Sequence, residues 1–129
     1  MEYTGHKKNV QMWVLLVLYK QDFYSHVHMK YITMEDFLER EKTGQLPILL
    51  DVREPDEWAD GHIDTAIHIP VAQVAGTIET VIPDKNAEII VYCASGGRSR
   101  RVVEELVNMG YPHATNLDGG FFVYQMHTL

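Results

Sequence analysis

The residues from Tyr92 to Arg101, YCASGGRSRR, gather the side-chain types that make a nucleophile. Cys93 is the only cysteine in 129 residues. It closes an apolar run, precedes Gly96 and Gly97, and has Arg98, Arg100 and Arg101 within eight positions of it. A thiol reacts as its thiolate, and a thiolate forms readily only where positive potential is close. Glycines tolerate positive φ and let successive N–H groups turn inward, and arginines supply charge-assisted donors. The bland alternative is that Cys93 is a small buried hydrophobe, as many free cysteines are. The glycines, the arginines and the loop's setting favour the thiolate.

That setting is a strand, a loop and a helix. AEIIVYC reads as a buried strand from Ala87 to Tyr92. SRRVVEELVNMGYP reads as a helix beginning five or six residues after Cys93, with Val102, Val103, Leu106 and Val107 on one face. Gly110 and Pro112 end it. Upstream, Tyr31–Ile32 reads as a short strand, and Thr33 caps a helix running to about Lys42. Ile48–Val52 is a strand buried on both faces, and Pro55–Ala59 is a helical turn. Ala66–Ile69 is a short strand, and Val71 to about Thr80 is a helix. Downstream, ATNL is a last strand and Gly119–Gly120 opens a final helix. This alternation predicts an α/β fold, a mostly parallel sheet of about five strands with helices on both faces. In such folds ligands sit beyond the carboxyl ends of the strands, which is where Cys93 falls. Inward N–H groups and a helix N-terminus there make an anion cradle.

The formal net charge is −7, which speaks against nucleic acid as a partner. Residues 29–129 carry eight basic side chains against sixteen acidic, and three of the eight lie in the quoted loop. An anion is the expected visitor there. A lone cysteine excludes an internal disulfide and makes a reducing compartment, the cytoplasm, the default. Residues 1–28 read as an N-terminal extension to the domain at 29–129. Its apolar run, Val10–Tyr19, is ten residues long, too short for a membrane-spanning helix. It reads as a short amphiphilic helix or strand, or as an export signal. Lys20, Gln21 and Asp22 stand where a signal would need small residues.

Loop length separates two thiolate chemistries. Cysteine phosphatases space nucleophile and arginine as C-x5-R, leaving room for a tetrahedral tri-oxygen group. Here Cys93 and Arg98 are spaced C-x4-R. The tighter loop suits a smaller load, such as one extra sulfur. CASGGRS also resembles the C-x-x-G-x-R-S active-site loop of the single-domain rhodanese family. DVREPDEWADGHI resembles that family's D-x-R-x-x-x-E-[FYW]-x3-HI signature at Asp51, Arg53, Glu57, Trp58, His62 and Ile63. HIDTAIHIP resembles its G-A-x-x-I-P segment, with Thr65 in place of the usual glycine, and LDGGF its closing G-G-[FW] motif. The four motifs, in order, cover about residues 30–124.

The resemblance implies a sulfurtransferase with no cofactor and no metal. Cys93 would take sulfur from a small anionic donor such as thiosulfate and hold it as a persulfide. An external thiol or protein, or cyanide in an assay, would then accept it. The loop residues Ala94, Ser95, Gly96, Gly97, Arg98 and Ser99 would bind the anion, with Arg100 and Arg101 steering it. A sulfur carrier or partner-binding module with little thiosulfate turnover is the alternative. Asp51 and Arg53, just after a buried strand and near the same sheet edge, read as an ion pair that either holds the loop from the site side or, the reading preferred, closes the domain structurally. His62 reads as a helix-end histidine. His26 and His28 make at most two metal ligands. Trp58, Phe121 and Phe122 read as core anchors, and EREK at 39–42 as a solvated helix face.

Overall fold

The computed structural model describes residues 10–15 and 30–129. Residues 10–15 are helical and are labelled α1. His26 and His28 lie outside the described residues. The unit Tyr31–Leu129 is taken by itself below.

Its centre is strand β4, Ile89–Tyr92, in which all four residues are buried. Successive side chains of a strand point to opposite faces. Ile89 and Val91 accordingly join one apolar cluster, and Ile90 and Tyr92 the other. β2 (Ile48–Asp51) divides in the same way, Leu50 to the first cluster and Leu49 to the second. Such double burial is why these segments read as unbroken apolar runs. With β1 (Tyr31–Ile32), β3 (Ile67–His68) and β5 (Ala114–Leu117) they form one sheet in the order β1-β5-β4-β2-β3. Every neighbouring pair is parallel.

Helices cover both faces. α4 (Val74–Val81) and α5 (Gly97–Asn108) supply Val74, Ile78, Val102, Val103 and Leu106 to the first cluster. α2 (Met34–Lys42) and α6 (Gly120–Thr128) supply Met34, Phe37 and Phe121 to the second. α3 (Pro55–Ala59) buries no residue fully. The α2 start follows from its cap: the Thr33 hydroxyl accepts from Asp36 N at 3.1 Å.

Several boundaries differ from the sequence expectation. Ala87 and Glu88 stay outside β4, Ala87 N being engaged in a turn with Asp84 O. The helix expected from Val71 opens as a 3-10 turn, Val71–Gln73, closed by Gln73 N on Pro70 O. α5 begins at Gly97, closer to Cys93 than expected. Phe122 is no core anchor: it is 63% exposed, whereas Phe121 is buried. EREK is only partly a solvated face. Arg40 pairs with Glu88 at 2.6 Å, and Glu41 accepts from the Tyr124 hydroxyl at 2.9 Å. Thr65 lies in an exposed turn, and among the described residues only glycines have positive φ, so this turn does not require one. Among the described residues no helix is long and apolar enough to cross a membrane.

Candidate active site

Cys93 follows β4 directly, and its side chain is 1% exposed. Only Ala94, Ser95 and Gly96 separate it from α5. Gly96 is the hinge of this turn. Its φ of 114° lies where a side chain would strain the backbone, and it aims the Gly96 N–H at Cys93 Sγ, 3.1 Å away. Gly97 opens the helix at negative φ, and a Cβ there would meet nothing within 4 Å. Of the two glycines, only Gly96 is required by the backbone.

The sulfur therefore lies at the N-terminal end of a twelve-residue helix, where the dipole favours an anion. Burial pushes the thiol pKa up, but donors outweigh it. The Ser99 hydroxyl and the backbone N–H groups of Ser99, Gly96 and Ser95 together hold the Cys93 thiol below its ordinary value. The donors that lower the thiol most are backbone and hydroxyl, and the Arg98 guanidinium adds its charge beside the sulfur.

The first two carbonyls of the loop are held by α6. Phe121 N donates to Cys93 O and Phe122 N to Ala94 O, each at 2.9 Å. This close approach is possible because residue 120 is glycine. A Cβ on Gly120 would stand 2.6 Å from Cys93 O and 2.7 Å from Ala94 O. Gly120 thus lets the helix start pack against the cysteine loop, a role that its sequence reading as a helix opener did not contain.

Arg98 does not project freely to meet a ligand. Its guanidinium makes a two-point ion pair with Glu57 of α3, at 2.6 and 2.9 Å. Arg98 holds the Glu57 carboxyl down at about 2. Arg98 is itself pushed above its usual range, first by Glu57, with the Cys93 sulfur contributing. Arg100 and Arg101 are exposed on α5, and neither forms an ion pair among the described residues.

Asp51 and Arg53 form a buried pair one strand away, 2.8 Å apart. Asp51 also accepts from Arg53 N, and the Arg53 guanidinium donates to Gly61 O at 2.7 Å. The guanidinium carbon stands 4.3 Å from the Phe121 ring centre. The pair closes the sheet edge beneath α6 and touches no group of the 93–99 loop directly. Trp58 is half-buried rather than a core anchor, its ring parallel to His62 at 3.5 Å and to His68 at 4.7 Å. His62 is a helix-end residue, its Nδ1 donating to Trp58 O at 3.0 Å.

Two residues of the site escaped the sequence reading of candidates. Glu57 was visible only as a motif position, and its pairing with Arg98 spans 41 residues of sequence. Asn116 lies in β5, buried, with Oδ1 2.5 Å from Ser99 Oγ and Nδ2 donating to Gly96 O at 3.3 Å. Its signal was a lone amide inside a buried strand. Among the described residues no group of three or more metal-ligating side chains occurs.

The described geometry has close counterparts. Residues 33–127 match the rhodanese-like domain family. Over 70 residues the chain is 41% identical to thiosulfate sulfurtransferase PspE of Escherichia coli, covering 54% of this chain and 67% of that protein. It is 32% identical to thiosulfate sulfurtransferase GlpE of Coxiella burnetii, covering 62% of this chain and 73% of that protein. The crystal structure of a rhodanese-like domain protein from Staphylococcus aureus superposes with a TM-score of 0.64 at 32% identity, over 70% of this chain and 86% of that one. With the cysteine loop, the parallel sheet and the helix packed under the loop in place, the chain belongs to the rhodanese family.

Proposed function

We propose that this chain is a sulfurtransferase that carries sulfane sulfur on Cys93. The observation that supports it most is a buried cysteine sulfur surrounded by inward N–H and O–H donors, at the mouth of a C-x4-R loop. In the first step the Cys93 thiolate attacks the outer sulfur of thiosulfate. A sulfur–sulfur bond forms to Cys93, and sulfite leaves with the electron pair of the bond that breaks. The product is a Cys93 persulfide, whose terminal sulfur carries the negative charge. In the second step a nucleophile attacks that terminal sulfur, and Cys93 departs as thiolate. Cyanide yields thiocyanate, and a thiolate yields a new persulfide.

The cradle acts on both steps. It stabilises the anion before attack and as leaving group after it, without reorganising. As the only cysteine, Cys93 has no internal thiol to resolve its persulfide, so the acceptor is external. Arg98, tied to Glu57, holds the loop's first helical turn while lending its field to the incoming anion. Arg100 and Arg101, exposed and without an ion pair among the described residues, would draw the donor by longer-range attraction. The catalytic unit is residues 29–129, residues 1–28 being an extension, and a reducing compartment such as the cytoplasm suits its free thiol.

The test is thiocyanate formation from thiosulfate and cyanide, with Cys93→Ser beside the wild type and an aryl phosphate as a separate substrate. Cyanide-dependent turnover lost in Cys93→Ser, with no phosphate release, is expected. Phosphate release instead would overturn the sulfur-transfer reading. Transfer of a preloaded sulfur without thiosulfate turnover would favour the carrier role.

A further inference from the structure

Asn116 reaches both halves of the sulfur cradle from outside the loop. Gly96 N, at 3.1 Å, and Ser99 Oγ, at 3.3 Å, both stand in hydrogen-bond reach of Cys93 Sγ. Gly96 and Ser99 are the same two residues that the Asn116 amide grips, Ser99 Oγ at 2.5 Å and Gly96 O at 3.3 Å. Asn116 is buried, and it comes from β5, outside the loop. A buried amide costs free energy unless its polar atoms are satisfied, and this one is satisfied by the loop.

The Ser99 hydroxyl has one proton and three acceptors around it: Cys93 Sγ, Gly96 O at 3.2 Å and Asn116 Oδ1. Asn116 fixes where the oxygen stands, so that the hydroxyl can serve the sulfur when the sulfur is charged. Its other end holds the Gly96 peptide, whose N–H points at the sulfur. We infer that Asn116 is a positioning residue for the Cys93 nucleophile, acting through the Ser99 hydroxyl and the Gly96 peptide. The inference rests on Cys93 reacting as a thiolate in the proposed transfer. The charged side chain set against the sulfur is Arg98, paired with Glu57, and neither is altered in the test.

The test is the pH dependence of Cys93 carboxamidomethylation by iodoacetamide. Full-length wild type, Asn116→Ala, Ser99→Ala and the double variant are compared, with thermal midpoints measured alongside. Alkylation reads the thiolate without any sulfur donor, so its outcome is separate from that of the transfer assay. Asn116→Ala is expected to raise the apparent pKa of Cys93 by about one unit, the equivalent of one hydrogen bond to a charged group. Ser99→Ala should raise it comparably, and the double variant by clearly less than the two shifts together. Should Asn116→Ala fail to fold, Asn116→Leu keeps similar bulk without charge and removes both contacts. It too should raise the pKa. A wild-type alkylation profile in the folded variant, whatever its thermal midpoint, would overturn the inference, as would fully additive shifts.

Discussion

At the residue scale, the site depends on the backbone direction of Gly96. A side chain there costs about 1–2 kcal/mol in the left-handed region. The nearest atom to an added Cβ is Asn116 Nδ2 at 3.6 Å, so the strain is in the backbone and not in crowding. Gly96→Ala is therefore expected to keep its fold while the loop turns its N–H off the sulfur, and sulfur transfer should fall about tenfold or more. Gly97→Ala, with open space around it and negative φ, should retain far more activity. Steady-state thiocyanate assays on the two variants check the contrast. Equal losses would mean that the loop does not rely on the Gly96 conformation.

The same cradle predicts a pH profile. Its donors hold the Cys93 thiol below the ordinary value, about 8.5 for a free cysteine. The rate of Cys93 alkylation should thus reach its plateau at lower pH than that of a free cysteine. The sign for stability follows. A folded-state pKa below the unfolded one contributes stability at pH above the unfolded value. That contribution fades as pH falls through the folded value. An alkylation midpoint at or above that of free cysteine would contradict the hydrogen-bond pattern.

At the element scale, α6 holds the loop carbonyls, and the Asp51–Arg53 pair packs against Phe121 of α6. Gly120→Ala would drive a Cβ into the carbonyls of Cys93 and Ala94, a backbone contact that no rotamer relieves. It should cost both stability and transfer, read together from the thermal midpoint and the thiocyanate rate. Arg53→Ala leaves the fully buried Asp51 carboxylate without its partner. Removing one member of a buried pair costs about 3–5 kcal/mol. Denaturant unfolding of Arg53→Ala should show a loss of that order, and a loss below about 1 kcal/mol would mean water already reaches the pair.

Much of this layer was legible in the sequence. Ile48–Asp51 and Ile89–Tyr92 are apolar without interruption because both faces of the sheet are covered. Thr33 announced the start of α2. The cysteine loop was legible because its residue types are unusual together. What was not legible depends on distant chain segments meeting. Glu57 and Arg98, Asn116 and Ser99, and the α6 N–H groups on the Cys93 and Ala94 carbonyls are contacts across parallel crossovers. Phe122 looked like a core residue because hydrophobicity alone does not say which side of a short helix faces inward.

At the scale of the whole molecule, acid is the expected weakness. The domain is strongly acidic, yet carboxylates such as Glu57 are held ionised by arginine. Arg98 lowers Glu57 to about 2, against about 4.3 in an unfolded chain. Glu88 is lowered by Arg40. Depressed carboxyl pKa values give stability that is present above the unfolded value and lost as pH falls toward the folded one. Stability measured by denaturant unfolding should decline from about pH 4 down to about pH 2, and Glu57→Gln should flatten part of that decline. An unchanged slope in Glu57→Gln would mean the Arg98 pair is open in solution.

The central claim is that Cys93 accepts and gives up one sulfur atom. The most direct measurement is the intact mass of the protein after thiosulfate and again after cyanide, with Cys93→Ala treated in parallel. The expected result is the gain of one sulfur atom's mass, its loss on adding cyanide, and no gain in Cys93→Ala. A protein that never gains sulfur while Cys93 remains a free thiol, or a Cys93→Ala chain that gains it equally, would contradict the account.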